Sequence, residues 1–282
     1  MDFEFTRRIN STMKIWCSRS LKSGLVIASA LVITIAGCGK KETPESTEPM
    51  GAPAGGSATI DPSTVGEVTG TVTLVGTAPT FKAINMSAEP YCSKANPKTV
   101  MPQDVVVGDK GALDNVVVYV KDDLSKYSFD TPKDSVALNQ QGCMYEPHVV
   151  ALMAGQTLEV KNDDQTTHNI HPMPKDNREW NTSQPPGAAP IDNSFARQEV
   201  AIPVKCNVHP WMKGYIAVLK NPFFAVTTKD GKFDLKGLPP GTYTIEAWQE
   251  HYGVVDQQVT IGPKESKSVD LSFNASAPPS GD

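Results

Sequence analysis

The sequence predicts an all-β chain built from small sandwiches of short strands. Between residues 67 and 274, short apolar runs alternate with turn residues, and none of them shows a convincing helical pattern. The 23 prolines and 21 glycines favour a turn-rich β architecture, and 39% hydrophobic residues suffice for a packed core. Many short strands separated by turns are typical of β-sandwiches.

The individual strands are predicted from period-two alternation and from β-branched residues. The run at 148–162 is broken by Ala154-Gly155, and Asp230-Gly231 predicts a tight hairpin within 223–248. The predicted strands lie at residues 70–77, 114–121, 135–147, 148–162, 195–206, 214–220, 223–248, 254–262 and 267–273.

Residues 1–38 have the pattern of an export signal. A basic start is followed by an apolar run at 24–36, which is too short to span a bilayer comfortably. The run ends in Ile35-Ala36-Gly37-Cys38, which resembles a bacterial lipobox. This resemblance implies lipidation of Cys38 and a membrane-anchored protein on the periplasmic or cell-surface side. An ordinary cleavage site with a chance cysteine is the alternative.

Two segments outside the strands are expected to lack structure. Residues 39–66 contain almost no large apolar side chains, so they cannot offset the entropy of ordering and are predicted to be a flexible tether. The tail at 275–282 is predicted to be disordered for the same reason. The net charge of −5, with no basic run after the signal, argues against nucleic acid and favours partners with a basic face.

The five cysteines divide into groups. Cys17 leaves with the signal and Cys38 would carry the lipid, so Cys92, Cys143 and Cys206 remain. An odd number of cysteines in an oxidising compartment indicates one reactive or metal-bound thiol. One pairing is a disulfide between Cys92 and Cys143, which leaves Cys206 free.

The segment KCNVHPWMKG at 205–214 places three metal-binding side chains three positions apart. Cys206, His209 and Met212 offer a thiolate, an imidazole and a thioether on a loop between two predicted strands. A soft thiolate with two imidazoles and a weak axial ligand is the donor set of a copper site that exchanges single electrons. The second imidazole should come from elsewhere, and His168 stands just past a predicted strand. The spacing predicts these four side chains as ligands of one copper ion.

The segments VKNDDQTTHNIH and CNVHPWMKG resemble the cupredoxins, the type-1 blue-copper proteins of the amicyanin and plastocyanin kind. MYEPHVVALMAGQTLEVKN resembles the opening of their sandwich, so the resemblance covers residues 131–220. It implies a Greek-key β-sandwich with one copper ion. His168 and His209 would be the imidazole ligands, and Cys206 the thiolate. Met212 would be the axial thioether.

The same resemblance implies roles around the ligands. Asn162 stands six residues before His168, where the family has an asparagine that ties the two ligand loops by hydrogen bonds. Pro210 and Trp211 flank His209, and in the family an apolar patch around a partly exposed histidine is the port for electrons and docking. For Trp211, simple loop packing is an equal alternative.

The segment TKDGKFDLKGLPPGTYTIEAW resembles the carboxypeptidase-regulatory-like sandwich, an Ig/transthyretin-type fold. Its two opening strands would lie before the copper segment. A nested arrangement follows, with 67–130 and 221–274 as one sandwich and 131–220 as the insert. Sequential units, in which the cupredoxin segment is followed by the second sandwich, are the alternative.

Four further side chains are weighed as metal ligands. His171 is left out, because it lies an odd number of residues from His168 on a strand and would point away. His148 is expected to be a polar strand residue, with a second metal as the alternative. His251 is expected to be structural or exposed. Met173 could compete with Met212 as axial ligand, although Met212 fits the spacing better.

These features predict an exported, lipid-anchored electron carrier rather than an enzyme. Its partners would be redox proteins, such as a c-type cytochrome or a dehydrogenase or oxidase, with no nucleic acid or small-molecule substrate. Copper storage or delivery is the alternative. A copper oxidase or nitrite reductase needs further histidines, and the chain has five. A structural β-protein that has lost its metal is disfavoured by the intact set of ligands.

Overall fold

A computed structural model of the chain describes residues 58–277. Regular structure in this range is nearly all strand, which confirms the all-β prediction. One short helix, α1 (Pro90–Ala95), and a 3₁₀ turn at Asp109–Gly111 were not predicted. Proline in the first turn of α1 suits a helix start, because its fixed φ is already helical. The predicted signal, Cys38, residues 39–57 and residues 278–282 lie outside the described residues.

Most of the strands are short. In chain order they are β1 (Gly66–Val75), β2 (Val117–Val120), β3 (Val136–Gln141), β4 (Met144–Glu146), β5 (Val149–Met153), β6 (Leu158–Asn162), β7 (His168–Pro172), β8 (Thr182–Gln184), β9 (Ile191–Asn193), β10 (Glu199–Lys205), β11 (Lys213–Leu219), β12 (Phe224–Val226), β13 (Lys232–Leu238), β14 (Gly241–Gln249), β15 (Gly253–Ile261), β16 (Ser266–Ser268) and β17 (Leu271–Asn274). Within residues 58–277, no helix is long and apolar enough to cross a bilayer.

The strands form four sheets in two pairs. Strands from both ends of the described chain form sheets in the orders β13-β1-β16 and β12-β2-β14-β15, with β17 also pairing with β1. We call this pair the outer sandwich. The strands between them form sheets in the orders β5-β11-β10-β7-β8 and β4-β3-β6-β9, which we call the central sandwich.

Each sandwich has its own apolar core. Val68, Val118 and Ile245 belong to the core of the outer sandwich. Leu152 and Ile216 belong to the core of the central sandwich, which also contains Cys206 and Met212. Fully burying a side chain of this size contributes about 1.5–3 kcal/mol relative to leaving it exposed.

The two sandwiches also pack against each other, through a third apolar cluster. Val117 and Tyr119 of β2 join Ala217 and Leu219 of β11 in this cluster. All four residues of β2 are buried, although the sequence predicted an alternating strand at 114–121. Successive side chains point to opposite faces, and both faces of β2 are covered. A strand buried on both faces reads as a continuous apolar run.

The turn at Asp230-Gly231 differs from the hairpin expected there. The Gly231 N–H donates to the Thr228 carbonyl at 2.7 Å, so the turn itself forms. However, β12 pairs with β2 and β13 pairs with β1, so the turn carries the chain between two sheets. A side chain at Gly231 would lie 2.5 Å from the Val72 carbonyl oxygen, which explains the glycine.

The two ranges predicted to lack structure, 39–66 and 275–282, each include residues that belong to the fold. Ala58 forms a bridge with Tyr127, and β1 already begins at Gly66. At the other end, the Ala275 N–H donates to the Val75 carbonyl at 2.9 Å. Apolar side chains explain both corrections, because Ile60 and Ala275 pack on the core of the outer sandwich.

Candidate metal centre

The candidate ligands lie at the ends of adjacent strands. His168 opens β7, Cys206 follows β10 directly, and Met212 precedes β11. Strand β10 pairs with both β7 and β11, so the sheet brings these ends together. The C-x-x-H-x-x-M spacing forms a compact loop, in which the Cys206 N–H donates to the Met212 carbonyl at 3.0 Å.

Two imidazoles and the thiol converge in one buried space. The Nδ1 atoms of His168 and His209 lie 2.9 Å apart, and His209 Nδ1 lies 3.7 Å from Cys206 Sγ. The donor atoms of the three residues all lie within 4.8 Å of one another. Both histidines are 0% exposed and Cys206 is 3% exposed. Met212 is also buried, in the same core cluster as Cys206.

The surroundings favour a thiolate at Cys206. Burial raises the pKa of the Cys206 thiol, but a hydrogen bond with His168 and bonds with backbone groups outweigh burial and hold this pKa below its ordinary value. Burial lowers the pKa of His168, yet its bond to Asp164 and its contact with Cys206 raise it overall. Burial and the charge of His168 lower the pKa of His209.

Asn162 does not make the contact that the resemblance implied. Its Nδ2 donates to the carbonyls of Thr166 at 2.9 Å and Gln184 at 2.8 Å, so it holds the loop before His168 and the edge strand β8. The two ligand loops are tied instead by Asn169. Its Oδ1 accepts bonds from the Asn207 N–H at 2.6 Å and from Cys206 Sγ at 3.4 Å.

Sequence reasoning missed Asn169 and Asp164. Asp164 Oδ2 lies 2.8 Å from His168 Nε2, and the carboxylate is buried. Asp164 and His168 stand four residues apart, but on a loop this spacing does not predict contact. Asn169 directly follows His168 in the sequence. Its hydrogen-bond partner, Asn207, becomes visible only once β7 is seen to pair with β10.

Cys92 and Cys143 form a disulfide, and Cys206 is the free cysteine among the described residues. The disulfide joins α1 to the turn between β3 and β4. Its sulfur atoms lie within 4.8 Å of a ring nitrogen of His209. Met86 and Met144 belong to the same buried apolar cluster.

The structure corrects the expectation of a partly exposed His209. The ring is fully buried, because the disulfide cluster and Trp211 cover it. The ring centroids of Trp211 and His209 lie 5.3 Å apart, and Trp211 Nε1 donates to the Cys143 carbonyl at 3.1 Å. Trp211 is therefore packed in the loop, and Pro210 is exposed beside it.

The remaining histidines lie away from the three converging donors. His171 Nε2 lies 2.6 Å from a Glu179 oxygen on the outer side of the sheet. His148 is buried against Glu250, and His251 stacks edge-on with Tyr252 at 4.8 Å between ring centroids. Among the described residues, no group of three converging metal-ligating side chains includes His148, His171 or His251.

Met173 lies directly after β7, near the start of the long segment at 172–194. Its N–H donates to the Pro203 carbonyl at 2.9 Å, and it does not belong to the buried cluster that holds Cys206 and Met212. This segment contains the short strands β8 and β9.

The donor set suits copper. A thiolate with two imidazoles selects a soft or borderline metal over magnesium or calcium, which prefer oxygen. The donors are buried, on the first residue of β7 and on the short loop between β10 and β11. His168 Nε2 is held by a carboxylate, as is usual for metal-bound histidines.

No protein-family model matches the chain, and no curated protein matches it. Parts of the chain are similar to solved structures. One is the copper-containing nitrite reductase from Thermus scotoductus SA-01, at 20% identity over 34% of this chain and 24% of that chain, with a TM-score of 0.29. A purple cupredoxin from Nitrosopumilus maritimus is 25% identical over 27% of this chain and 81% of that chain, with a TM-score of 0.24. A variant of amicyanin in its Cu(I) state is 19% identical over 30% of this chain and 81% of that chain, with a TM-score of 0.26.

Proposed function

We propose that this chain is an exported, lipid-anchored protein that holds one type-1 copper ion and carries single electrons between redox proteins. The observation that carries the proposal is the convergence of His168, His209 and Cys206 in one buried space, with their donor atoms within 4.8 Å of one another. Met212, buried in the same core cluster as Cys206, would supply a thioether as the fourth ligand.

The chain's own residues would hold the ligands nearly fixed. Bound copper supplies the one-electron chemistry by alternating between Cu(I) and Cu(II). The ligands stand at the ends of the adjacent strands β7, β10 and β11, and Asn169 ties the Cys206 loop to β7. A site held from several strands changes little between oxidation states, so little reorganisation opposes electron exchange.

The route between the site and a partner would pass through Trp211 and Pro210. His209 is buried, so a partner cannot touch its ring directly. Trp211 packs on that ring at 5.3 Å between centroids, and Pro210 is exposed beside it. We propose this part of the loop as the docking surface for a redox partner, such as a c-type cytochrome, a dehydrogenase or an oxidase.

Copper storage or delivery is the alternative function. Delivery needs ligands that exchange readily, whereas the three donors here are at most 3% exposed. Their burial favours retention of the ion and supports the carrier. We propose no enzymatic activity and no small-molecule or nucleic-acid partner.

We further propose that residues 131–220 form a cupredoxin domain inserted into a carboxypeptidase-regulatory-like domain of residues 67–130 and 221–274. The separate cores of the two sandwiches support this division. The outer sandwich would act as a scaffold between the lipid at Cys38 and the metal domain.

Spectroscopy of the full chain with Cu(II) tests the function. The wild type should bind one ion per chain, show intense visible absorption from a copper–thiolate bond, and undergo reversible one-electron reduction. Cys206→Ser and His168→Gln should lose the absorption. His171→Gln is the matched control and should keep the visible absorption, because this histidine lies outside the group of converging donors. A colourless wild type, or unchanged spectra in Cys206→Ser, would remove the proposal.

A further inference from the structure

Asp164 is a buried carboxylate with both oxygens occupied. Oδ2 lies 2.8 Å from His168 Nε2 and accepts from the Cys143 N–H at 2.7 Å. Oδ1 accepts from the Gly142 N–H at 2.7 Å and from the Tyr91 hydroxyl at 3.1 Å. One side chain thus contacts a metal ligand, the turn that carries the disulfide, and helix α1.

The bonds to Asp164 stabilise an unfavourable turn. Gly142 and Cys143 both have left-handed backbones, with φ of 61° and 58°. Glycine adopts this conformation readily, but cysteine does so at a cost. A carboxylate that accepts both N–H groups offsets that cost, and the disulfide to Cys92 in α1 holds the turn from the other side.

The same carboxylate determines which nitrogen of His168 faces the metal site. Both oxygens of Asp164 accept backbone N–H groups, from Gly142 and from Cys143, so the carboxylate acts as a hydrogen-bond acceptor. His168 Nε2 must therefore carry the hydrogen, and a neutral ring then presents its Nδ1 lone pair toward Cys206 and His209.

The disulfide lies close to the other imidazole. Its two sulfur atoms lie within 4.8 Å of a His209 ring nitrogen, whereas its backbone reaches His168 through Asp164. The same covalent link thus lies beside His209 and is connected to His168 through one carboxylate.

We propose that Asp164 is a positioning residue that orients His168 and makes this orientation depend on the intact Cys92–Cys143 disulfide. The inference rests on the proposed function, in which His168 binds the metal. It predicts that loss of the disulfide and loss of the carboxylate have the same effect on His168, because both act through the same hydrogen bonds.

A double-mutant cycle on the full chain tests this. It compares the wild type, Asp164→Asn, Cys92→Ala/Cys143→Ala, and the combination of all three changes. Asparagine has one acceptor oxygen, so its amide nitrogen must face the N–H donors of His168 and Cys143 or the N–H of Gly142. Either arrangement breaks a hydrogen bond through which the carboxylate holds the His168 ring. The measurement is the exchange rate of the His168 Nε2 hydrogen by NMR in the metal-free protein. Loss of a bond to a charged group should raise this rate about tenfold or more in each variant.

The combination should exchange no faster than the faster of its parents. Additive increases, or an unchanged rate in Asp164→Asn, would overturn the inference. Asp163→Asn is the matched control, because the neighbouring carboxylate bonds to Asn139 on the exposed side and should not affect His168. If Asp164→Asn does not fold, Tyr91→Phe removes one bond to the carboxylate and should raise the rate by a smaller factor. No rise in Tyr91→Phe would then count against the inference.

The reduction potential with copper bound gives a second readout. Asp164→Asn should raise the reduction potential. The carboxylate's negative charge stabilises Cu(II) more than Cu(I), and the variant removes that charge. Failure of the wild type to bind copper would remove the proposed function, while the metal-free NMR experiment would still report on Asp164. Copper binding with an unchanged potential in Asp164→Asn would overturn the positioning role alone.

Discussion

The Nδ1 atoms of His168 and His209 face each other at 2.9 Å in a space closed to solvent. Without a cation, one hydrogen can bridge the two nitrogens, and a second cannot fit. Bringing two imidazoles and a thiol together in a buried site does not by itself stabilise the fold, because burying polar groups costs free energy. A metal ion that accepts all three lone pairs removes that cost.

Metal should therefore stabilise the folded chain through His168. At a free copper concentration of about 100 times Kd, binding to the native state should add about 2.7 kcal/mol to the free energy of unfolding. His168→Gln should show no such gain. Chemical denaturation with and without Cu(II) measures the difference, and an equal gain in both proteins would contradict the prediction.

Removing Asn169 should loosen the Cys206 loop. Asn169→Ala leaves the Asn207 N–H without its 2.6 Å acceptor, and should lower the free energy of unfolding by about 1–3 kcal/mol. Denaturation of the metal-free protein measures this loss. Asn193→Ala is the control, since Asn193 bonds to the Ser194 N–H at an exposed position, and its effect should be much smaller.

Loss of the disulfide should destabilise the fold independently of metal. Cys92 and Cys143 are 51 positions apart, and closing a loop of that length lowers the entropy of the unfolded chain by an amount equivalent to about 4 kcal/mol. Cys92→Ala/Cys143→Ala should lose a stability of that order in denaturant titrations without metal. A loss below about 1 kcal/mol would show that the link does not constrain the unfolded chain.

The stability of the chain should fall in acid through Glu250. Burial raises the pKa of Glu250, but its hydrogen bond to His148 and the charge of Lys213 lower it overall. A pKa below the unfolded value of about 4.3 means that the stabilisation is complete above that pH, and is lost as the pH falls toward the folded pKa.

Glu250→Gln removes this titrating group. Its free energy of unfolding should therefore depend less on pH below about 4.3 than that of the wild type. Urea denaturation at a series of pH values measures both slopes. Identical slopes would mean that Glu250 does not contribute to the acid response.

Much of the fold could be predicted from local pattern. The break at Ala154-Gly155 lies between β5 and β6, as the sequence indicated. The failures have a common cause, which is contact between distant segments. The turn at Asp230-Gly231 was recognisable, but which sheet received each flanking strand was decided by partners far away in the chain.

The burial of His209 could not be predicted either. The disulfide-linked cluster that covers it combines residues around Cys92, more than a hundred positions earlier, with Cys143 and Met144. Asn162 and Asn169 illustrate the same limit, because spacing along the sequence cannot reveal which backbone groups lie opposite a side chain.

The sequence by itself determined the strand pattern and the chemistry of the donors. Cys206, His209 and Met212 share one short loop, and the nature and spacing of side chains within a loop are local properties. Only the tertiary structure decided which distant groups support them: Asp164 at His168, Asn169 at the Cys206 loop, and the disulfide over His209. The physical reason is that hydrogen bonds and burial depend on distances across strands, which sequence spacing does not fix.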